Sequence, residues 1–233
     1  PEDESLEMKR LLPLLLVRHA EAPHHVHEAA GGQAETGLTD MGLKQAELLA
    51  VRLKRELPGV ALFLASSEQK KARQTADILG QELGVAPRFF AELEDLNISD
   101  PAGKSKGMAH LPVTPTDEPS ADWQPYPGAE SWHQFYQRVS CFMESLLARE
   151  DIPGIAKAQE LGDAALILVT HAAVIQVVVN WWLGLDVEGM IRMEITPASL
   201  TVLRINRRGE RMIERLNDTA HLYAAGIIDH IRL

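Results

Sequence analysis

The chain has 233 residues, and its 33 acidic side chains outnumber the 23 Lys and Arg side chains, which gives a formal net charge of −10. Hydrophobic residues make up 45% of the sequence and charged residues 24%, which excludes a disordered chain and is typical of a globular protein with a substantial core. Broad nucleic-acid binding needs clustered positive charge, so the acidic balance argues against a nucleic-acid partner.

The chain opens with an acidic segment, because four of its first seven residues are Asp or Glu. A secretory signal begins with basic residues, so we predict residues 1–10 to be a flexible acidic leader. Cys141 is the only cysteine, which excludes an intrachain disulfide and is typical of a reducing compartment. We therefore expect a cytoplasmic protein in which residues 11–233 form one domain.

The first predicted elements are a strand and an amphipathic helix. Residues 11–17 are almost continuously apolar, as in a strand covered on both faces, and pairing is expected to begin after Pro13 because proline cannot donate to a ladder. Residues 38–57 are predicted to form a helix with Thr39 as its N-cap. The predicted core face of this helix comprises Leu43, Ala46, Ala50, Leu53 and Leu57.

Strands and helices continue to alternate along the chain. The remaining predicted elements are a strand at 60–65, a helix at 69–83, a helix at 130–149, a strand at 165–169, a helix at 172–183, and paired strands at 200–205 and 211–216. This alternation indicates an α/β sandwich around a mostly parallel sheet. Residues 164–183 have the length of a membrane span, but polar Thr170, His171 and Asn180 interrupt them, so no membrane partner is expected.

Residues 98–128 form a long segment without periodicity that contains six of the thirteen prolines. Long irregular segments in compact domains are usually functional or mobile. A lid over a binding site and a passive surface loop are therefore both open interpretations of this proline-rich segment.

Two predicted strands end in a histidine. Arg18 and His19 follow the first strand, and Thr170 and His171 follow the strand at 165–169. Ligands of open α/β sheets bind at the carboxyl ends of the strands. Arginine offers a planar donor fork that suits phosphate, and imidazole can act as nucleophile, acid, base or donor. We therefore expect an anion site at this edge of the sheet.

The segment Val17-Arg18-His19-Ala20-Glu21 resembles the Arg-His-Gly-Glu signature of the histidine phosphatase superfamily, the phosphoglycerate mutase-like group. Five further segments resemble motifs of that family in the expected order: 37–46, 66–76, 127–131, 169–171 and 216–222. Each motif alone is a weak signal, whereas six in order extend over nearly the whole chain. The resemblance implies a phosphoglycerate mutase-like, three-layer α/β/α sandwich with a mostly parallel central sheet.

The resemblance also implies a mechanism. His19 would attack a small phosphate monoester and form a transient phosphohistidine, which water would then hydrolyse. Arg18 and His171 would bind the equatorial oxygens and stabilise the charge that develops during transfer. This scheme needs no metal or other cofactor.

The leaving alkoxide needs a proton, which the family takes from a carboxyl group in a Leu-x-Glu segment. Leu93-Glu94-Asp95 matches this spacing, so the resemblance makes Asp95 the acid and base. Glu92 and Glu94 lie close enough in sequence to remain alternatives. The shorter aspartate must approach the substrate oxygen more closely than a glutamate would, because reach decides proton transfer before pKa does.

Three residues depart from the family pattern. Lys71 replaces the second phosphate-binding arginine and so lacks the bidentate fork. His25 replaces an asparagine four residues after Glu21, and Ala20 replaces the glycine after His19. The resemblance still implies that Lys71, His25 and Glu21 bind substrate, with altered phosphate affinity or specificity.

Three functions remain open at this point. A phosphatase for small phosphorylated metabolites is the leading hypothesis, and a phosphoglycerate mutase that returns the phosphoryl group to another hydroxyl is the second. The departures at Lys71 and His25 motivate a third, a catalytically weak module that binds a phosphorylated ligand. His24, His25 and His27 lack the spacing of a structural zinc site, so no metal site is predicted, and a homo-oligomer is left open.

Overall fold

The computed structural model of the protein describes residues 13–23, 36–98, 121–124, 126–148, 165–206 and 208–228. Within these ranges the strands are β1 (Leu14–Arg18), β2 (Leu62–Ser67), β3 (Arg88–Phe90), β4 (Ala165–Thr170), β5 (Leu200–Ile205) and β6 (Arg211–Asp218). The helices are α1 (Asp40–Glu56), α2 (Lys70–Leu83), α3 (Trp132–Ala148), α4 (Ala172–Trp182) and α5 (Ala220–Ala224), and Ala91–Leu93 form one 3-10 turn. The acidic leader and most of the proline-rich segment lie outside the described residues.

The strands of the described ranges form one mixed sheet in the order β3-β2-β4-β1-β5-β6. β3, β2, β4 and β1 pair in parallel, whereas β5 runs antiparallel to β1 and β6 antiparallel to β5. The predicted, mostly parallel sheet is therefore confirmed, with a hairpin at one edge. β4 lies between β1 and β2 and pairs with both, so its carboxyl end lies between the carboxyl ends of these two strands.

Helices cover both faces of the sheet. Leu14 and Leu16 of β1 face a core that also contains residues of α3 and α4. Leu15 and Val17 alternate to the opposite face, where the core contains residues of α1 and α2. The predicted three-layer α/β/α sandwich is confirmed by this division.

Thr39 is the N-cap of α1, as the sequence predicts, because the Gly42 amide donates a hydrogen bond of 3.0 Å to the Thr39 hydroxyl. The prediction that Leu43 belongs to the core face is wrong, since this side chain is 39% exposed. A methyl group on Gly42 would lie 2.1 Å from the carbonyl oxygen of Glu21, so α1 packs its Gly42 surface directly on the chain after β1. That close contact sets the rotation of the helix and directs Leu43 outward.

Helix α3 begins with a reciprocal cap. The Gln134 amide donates to the Ser131 hydroxyl at 3.2 Å, and the Ser131 amide donates to the Gln134 side-chain oxygen at 3.0 Å. The helix therefore begins at Trp132 rather than at the predicted Glu130. Its buried face comprises Phe135, Val139, Phe142, Met143 and Leu146.

Two short elements, β3 and α5, are missing from the prediction. Two strands differ in their bounds from the prediction. β2 lies two residues later than predicted, and β6 continues two residues further, to Asp218. In the described ranges, no helix combines the length and the apolar character that crossing a membrane would need.

Candidate active site

The carboxyl ends of β1 and β4 bring the two motif histidines together. Arg18 and Thr170 are paired as the last residues of these strands, and the His19 amide donates a hydrogen bond of 2.8 Å to the Thr170 carbonyl oxygen. His171 is the next residue and the N-cap of α4. As a result, the His19 and His171 rings lie with their centroids 5.1 Å apart and their planes at 60°.

His19 is a buried and neutral imidazole. Its Nδ1 lies 2.8 Å from the Ala20 carbonyl oxygen, and because a carbonyl oxygen only accepts, Nδ1 carries the proton. Nε2 then holds the lone pair that a nucleophile needs. Burial holds the pKa of His19 well below its usual value, and the neighbouring His171, Lys71 and Arg18 lower this pKa further.

Two cations contribute to the field around His19. Burial lowers the pKa of Arg18 to about 10, while Asp95 and Glu194 oppose that shift, so the guanidinium is charged at neutral pH. Arg18 donates from Nη1 to the carbonyl oxygen of Ile195. Lys71, near the start of α2, is only 1% exposed and belongs to the charges that act on His19. Lysine therefore lies at this site although it lacks the fork of an arginine.

Ser67 contacts one ring nitrogen of His171, and Asp95 lies on the side of the other. The Ser67 oxygen accepts from the Gln69 amide at 3.2 Å and lies 2.9 Å from His171 Nε2. We assign the hydroxyl proton of Ser67 to this contact, so that Nε2 accepts when the imidazole is neutral. The His171 proton is then on Nδ1, on the side that faces Asp95, and can be donated to an anion.

Asp95 follows the 3-10 turn and comes within 3.9 Å of His171, measured from Oδ2 to Nδ1. Its Oδ1 accepts from the Leu96 amide at 3.0 Å. The segment is fastened to β4 because the Thr170 hydroxyl donates to the Leu93 carbonyl oxygen at 2.7 Å. Of the three candidate acids, Asp95 is the one whose carboxylate is described close to a motif histidine, and Glu92 is exposed.

Glu21 has an anchoring contact in the structure. Its carboxylate accepts from the Thr39 hydroxyl at 2.7 Å, and its backbone carbonyl accepts from the Thr39 amide at 3.0 Å. These bonds fix the start of α1 beside the chain that carries His19. A role for Glu21 in substrate binding stays a prediction, and His25 lies outside the described residues.

Ala20, the residue after His19, is buried among apolar side chains. Its side chain belongs to a small apolar cluster with Ala46, Ala198 and Leu222. Its amide donates to the Thr75 hydroxyl at 3.1 Å, and that hydroxyl in turn donates to the Lys71 carbonyl oxygen at 2.9 Å. The residue after His19 is therefore fastened to the same helix that carries Lys71.

The sequence analysis does not predict that the Gln69 side chain is buried. This N-cap residue of α2 is 5% exposed, and neither polar atom of its side-chain amide has a hydrogen-bond partner within the part of the chain that the structure describes. A buried polar group in that state is rare in folded proteins. The available signal was a polar residue at a strand-to-helix junction, which is common and does not by itself indicate burial.

A groove of about 560 Å³ opens beside Asp95. Its lining reaches the histidine pair through Asp95 and does not include His19 or His171. Its lining includes the polar side chains of Glu94, Asn97, Gln124, Glu130, Gln134 and Arg138. No cluster of metal-ligating side chains occurs within the ranges that the structure describes.

Comparison with known proteins identifies the family. The sequence model of the histidine phosphatase superfamily (branch 1) matches residues 14–219. The chain belongs to this superfamily. The match contains five of the six predicted motifs in full and residues 216–219 of the sixth.

Relatives within this superfamily have different names. The chain is 27% identical over 186 residues to a glucosyl-3-phosphoglycerate phosphatase of Mycolicibacterium vanbaalenii, with 77% of each chain covered. It is 25% identical over 225 residues to a Yersinia pestis protein named probable phosphoglycerate mutase GpmB, which covers 91% of this chain and 95% of that one. Because the two relatives carry different names, the family match leaves open which reaction this chain catalyses.

Solved structures of other proteins share the fold. A structure titled mycobacterial hydrolase 1 superposes with a TM-score of 0.69 at 24% identity and covers 89% of this chain and 98% of that one. A mycobacterial glucosyl-3-phosphoglycerate phosphatase gives 0.68 at 23% identity, with 89% and 100% covered. These superpositions establish the architecture.

Proposed function

We propose that this histidine phosphatase superfamily member hydrolyses small phosphate monoesters through a phosphohistidine on His19. The observation that carries the proposal is the buried, neutral His19 ring, 5.1 Å from the His171 ring and influenced by the charges of Arg18 and Lys71. A neutral imidazole has the lone pair for attack, and the surrounding cations attract the phosphate dianion.

The chemistry proceeds in two steps. His19 Nε2 forms a bond to phosphorus while the bond from phosphorus to the ester oxygen breaks, and protonated Asp95 gives its proton to that oxygen. The Asp95 carboxylate then takes a proton from water, whose oxygen attacks phosphorus and breaks the bond to Nε2. Inorganic phosphate leaves, and both His19 and Asp95 return to their starting states.

Donors at the sheet edge would stabilise the transferring group. Arg18 and Lys71 supply positive charge, and His171 donates from Nδ1, so negative charge on the equatorial oxygens is balanced during transfer. Glu21 and His25 would complete the substrate site. The names of relatives that act on glucosyl-3-phosphoglycerate support a small phosphorylated metabolite as substrate.

Hydrolysis of p-nitrophenyl phosphate from acidic to neutral pH tests the proposal. The native chain is expected to turn over, and His19→Ala to lose activity. Acid-labile phosphate trapped on the peptide that contains His19 would identify the intermediate. His133→Ala is the matched control, because His133 is an exposed imidazole on α3 that pairs with Asp122. Retained activity in His19→Ala, or none in the native chain, refutes the proposal.

A phosphoglycerate mutase is the second candidate, and the GpmB relatives favour it by name. Mutase action requires that the phosphoryl group return to a hydroxyl before water reaches it. Incubation with 3-phosphoglycerate distinguishes the two reactions. Transfer gives 2-phosphoglycerate, whereas hydrolysis gives glycerate and inorganic phosphate.

A weak phosphate-binding module is the third candidate, and Lys71 in place of arginine motivates it. The burial of Lys71 beside His19 supports a working cation instead. Lys71→Arg separates the two cases. A silent native chain that gains turnover on this change supports the binding module, and rapid turnover by the native chain excludes it.

A further inference from the structure

Arg138 connects α3 to the segment that carries Asp95. Its Nη1 donates to the carbonyl oxygens of Glu92 at 2.8 Å and of Glu94 at 3.1 Å. A third carbonyl oxygen, that of Ala91, lies at 3.4 Å. One charged group thus contacts the backbone on the N-terminal side of Asp95, in a segment that we define as the acid loop, residues 91–97.

Glu130 orients the guanidinium and ties the other side of the acid loop. Its two carboxylate oxygens accept from Nε and Nη2 of Arg138, each at 2.8 Å, in the bidentate geometry that fixes a guanidinium plane. The Glu130 amide donates to the Asn97 carbonyl oxygen at 2.7 Å, and the Asn97 amide donates to the Glu130 carboxylate at 3.3 Å. Asp95 is therefore held between two fastened points.

The position of Asp95 matters because a carboxyl group must come within about 2.6–3.2 Å of the oxygen that it protonates. The short aspartate side chain has less reach than a glutamate to compensate for a displaced backbone. Its own local bond, from the Leu96 amide, moves with the loop and does not fix it to the sheet. The bonds from Arg138, Glu130 and Thr170 hold the loop against α3 and β4.

We propose that Arg138, oriented by Glu130, is a positioning residue that holds Asp95 in place for proton transfer to the leaving group. The inference rests on the proposed phosphatase function and assigns Arg138 no contact with substrate. Its consequence is specific. Loss of Arg138 should slow esters whose alkoxide needs a proton and leave esters of acidic phenols nearly unaffected.

The test compares two substrates with Arg138→Gln. Turnover of an alkyl phosphate is expected to fall about 10- to 100-fold, since general acid catalysis contributes about 10²- to 10⁴-fold when it is intact. Turnover of p-nitrophenyl phosphate is expected to fall less than about threefold, because p-nitrophenolate leaves without a proton. Glu130→Gln is expected to act in the same direction with a smaller effect.

Arg211→Gln is the matched control. Arg211 also donates from Nη1 to two carbonyl oxygens, those of Trp181 and Trp182, each at 3.2 Å. It has no described bond to the acid loop. Arg211→Gln is therefore expected to reduce turnover of both esters equally or not at all.

A double-mutant cycle separates positioning from general destabilisation. In an Asp95→Asn background, Arg138→Gln should produce no further loss that depends on the leaving group, because the acid is already absent. Arg138→Lys, which keeps the charge without the fork, should restore part of the alkyl phosphate rate. An equal fall on both esters, or a further selective loss in the Asp95→Asn background, overturns the proposal. A native chain that hydrolyses neither ester refutes the underlying function instead.

Discussion

Replacement of Ser67 by alanine tests the proton position assigned to His171. Both side chains are fully buried, and the Ser67 hydroxyl lies 2.9 Å from Nε2 of the imidazole. Removal of this hydroxyl leaves Nε2 without its donor. The preference for a proton on Nδ1 is then lost, and the ring loses the bond that fixes its orientation toward Asp95.

The magnitude follows from one buried hydrogen bond. Such a bond contributes about 0.5–1.5 kcal/mol, and a buried acceptor left without a partner costs about 1–3 kcal/mol. The free energy of unfolding of Ser67→Ala should therefore fall by about 1–3 kcal/mol. If about 1.4 kcal/mol of transition-state stabilisation is lost with the donor, kcat/KM for an aryl phosphate should fall about tenfold.

Ser66→Ala provides the control at the neighbouring position. Ser66 is also fully buried, and its hydroxyl donates to the Ser67 carbonyl oxygen at 2.9 Å, so the change removes one bond of the same kind. Its stability should fall by a similar amount while kcat/KM stays within about twofold. Chemical denaturation and steady-state kinetics measure both quantities. The tautomer assignment is refuted if the two variants lose kcat/KM equally, or if Ser67→Ala loses none.

Three further predictions concern stability. Gln69→Leu should raise the free energy of unfolding by about 1–2 kcal/mol, because it removes a buried amide that has no hydrogen-bond partner among the described residues, and a lower midpoint of chemical denaturation would contradict this. Gly42→Ala should lower it by about 1–3 kcal/mol, since the new methyl group meets the Glu21 carbonyl oxygen at 2.1 Å, and an unchanged denaturation midpoint would contradict the close contact. Burial and Arg52 lower the pKa of His221 to about 4, so the unfolded chain binds the extra proton and stability falls as the pH drops from about 6.5 through 4. Denaturation midpoints across this pH range should fall less in His221→Gln than in the native chain, and equal slopes would exclude His221 as the cause.

The strands that carry the histidines could be predicted because their signal is local. β1 and β4 are continuous apolar runs of the length of a strand, and each is followed by polar residues. Parallel strands end at the same edge of a sheet, so the proximity of His19 and His171 follows once both strands are assigned. The N-cap of α1 was predictable for the same reason, as the Thr39 hydroxyl bond shows.

Elements at the edges were not predictable from local patterns. β3 has three residues, of which Arg88 is exposed, so it offers neither an apolar run nor an alternation of useful length. α5 is little more than one turn, too short to display a helical period. The error at Leu43 has another origin. The rotation of α1 is set by contact with Glu21, which lies 22 residues before Leu43 in the sequence.

Most of the hydrogen bonds that organise the site join residues far apart in sequence. Arg138 lies 46 residues from Glu92, and His171 lies 104 residues from Ser67. Residue type alone does not distinguish an arginine that fastens a loop from one on a solvated helix face. Motif resemblance located the residues that react, whereas the bonds that orient them emerged from the fold.

The central place of β4 in the sheet has a consequence for how the protein folds. β1 and β2 come early in the chain, yet each pairs with β4, which begins only at Ala165. Until that strand is synthesised, two apolar strands have unpaired edges, and such edges are templates for aggregation. Fragments that end before Ala165 should therefore be insoluble as well as inactive. Pairing of β4 with β1 also brings His171 to His19, so the centre of the sheet and the histidine pair form together.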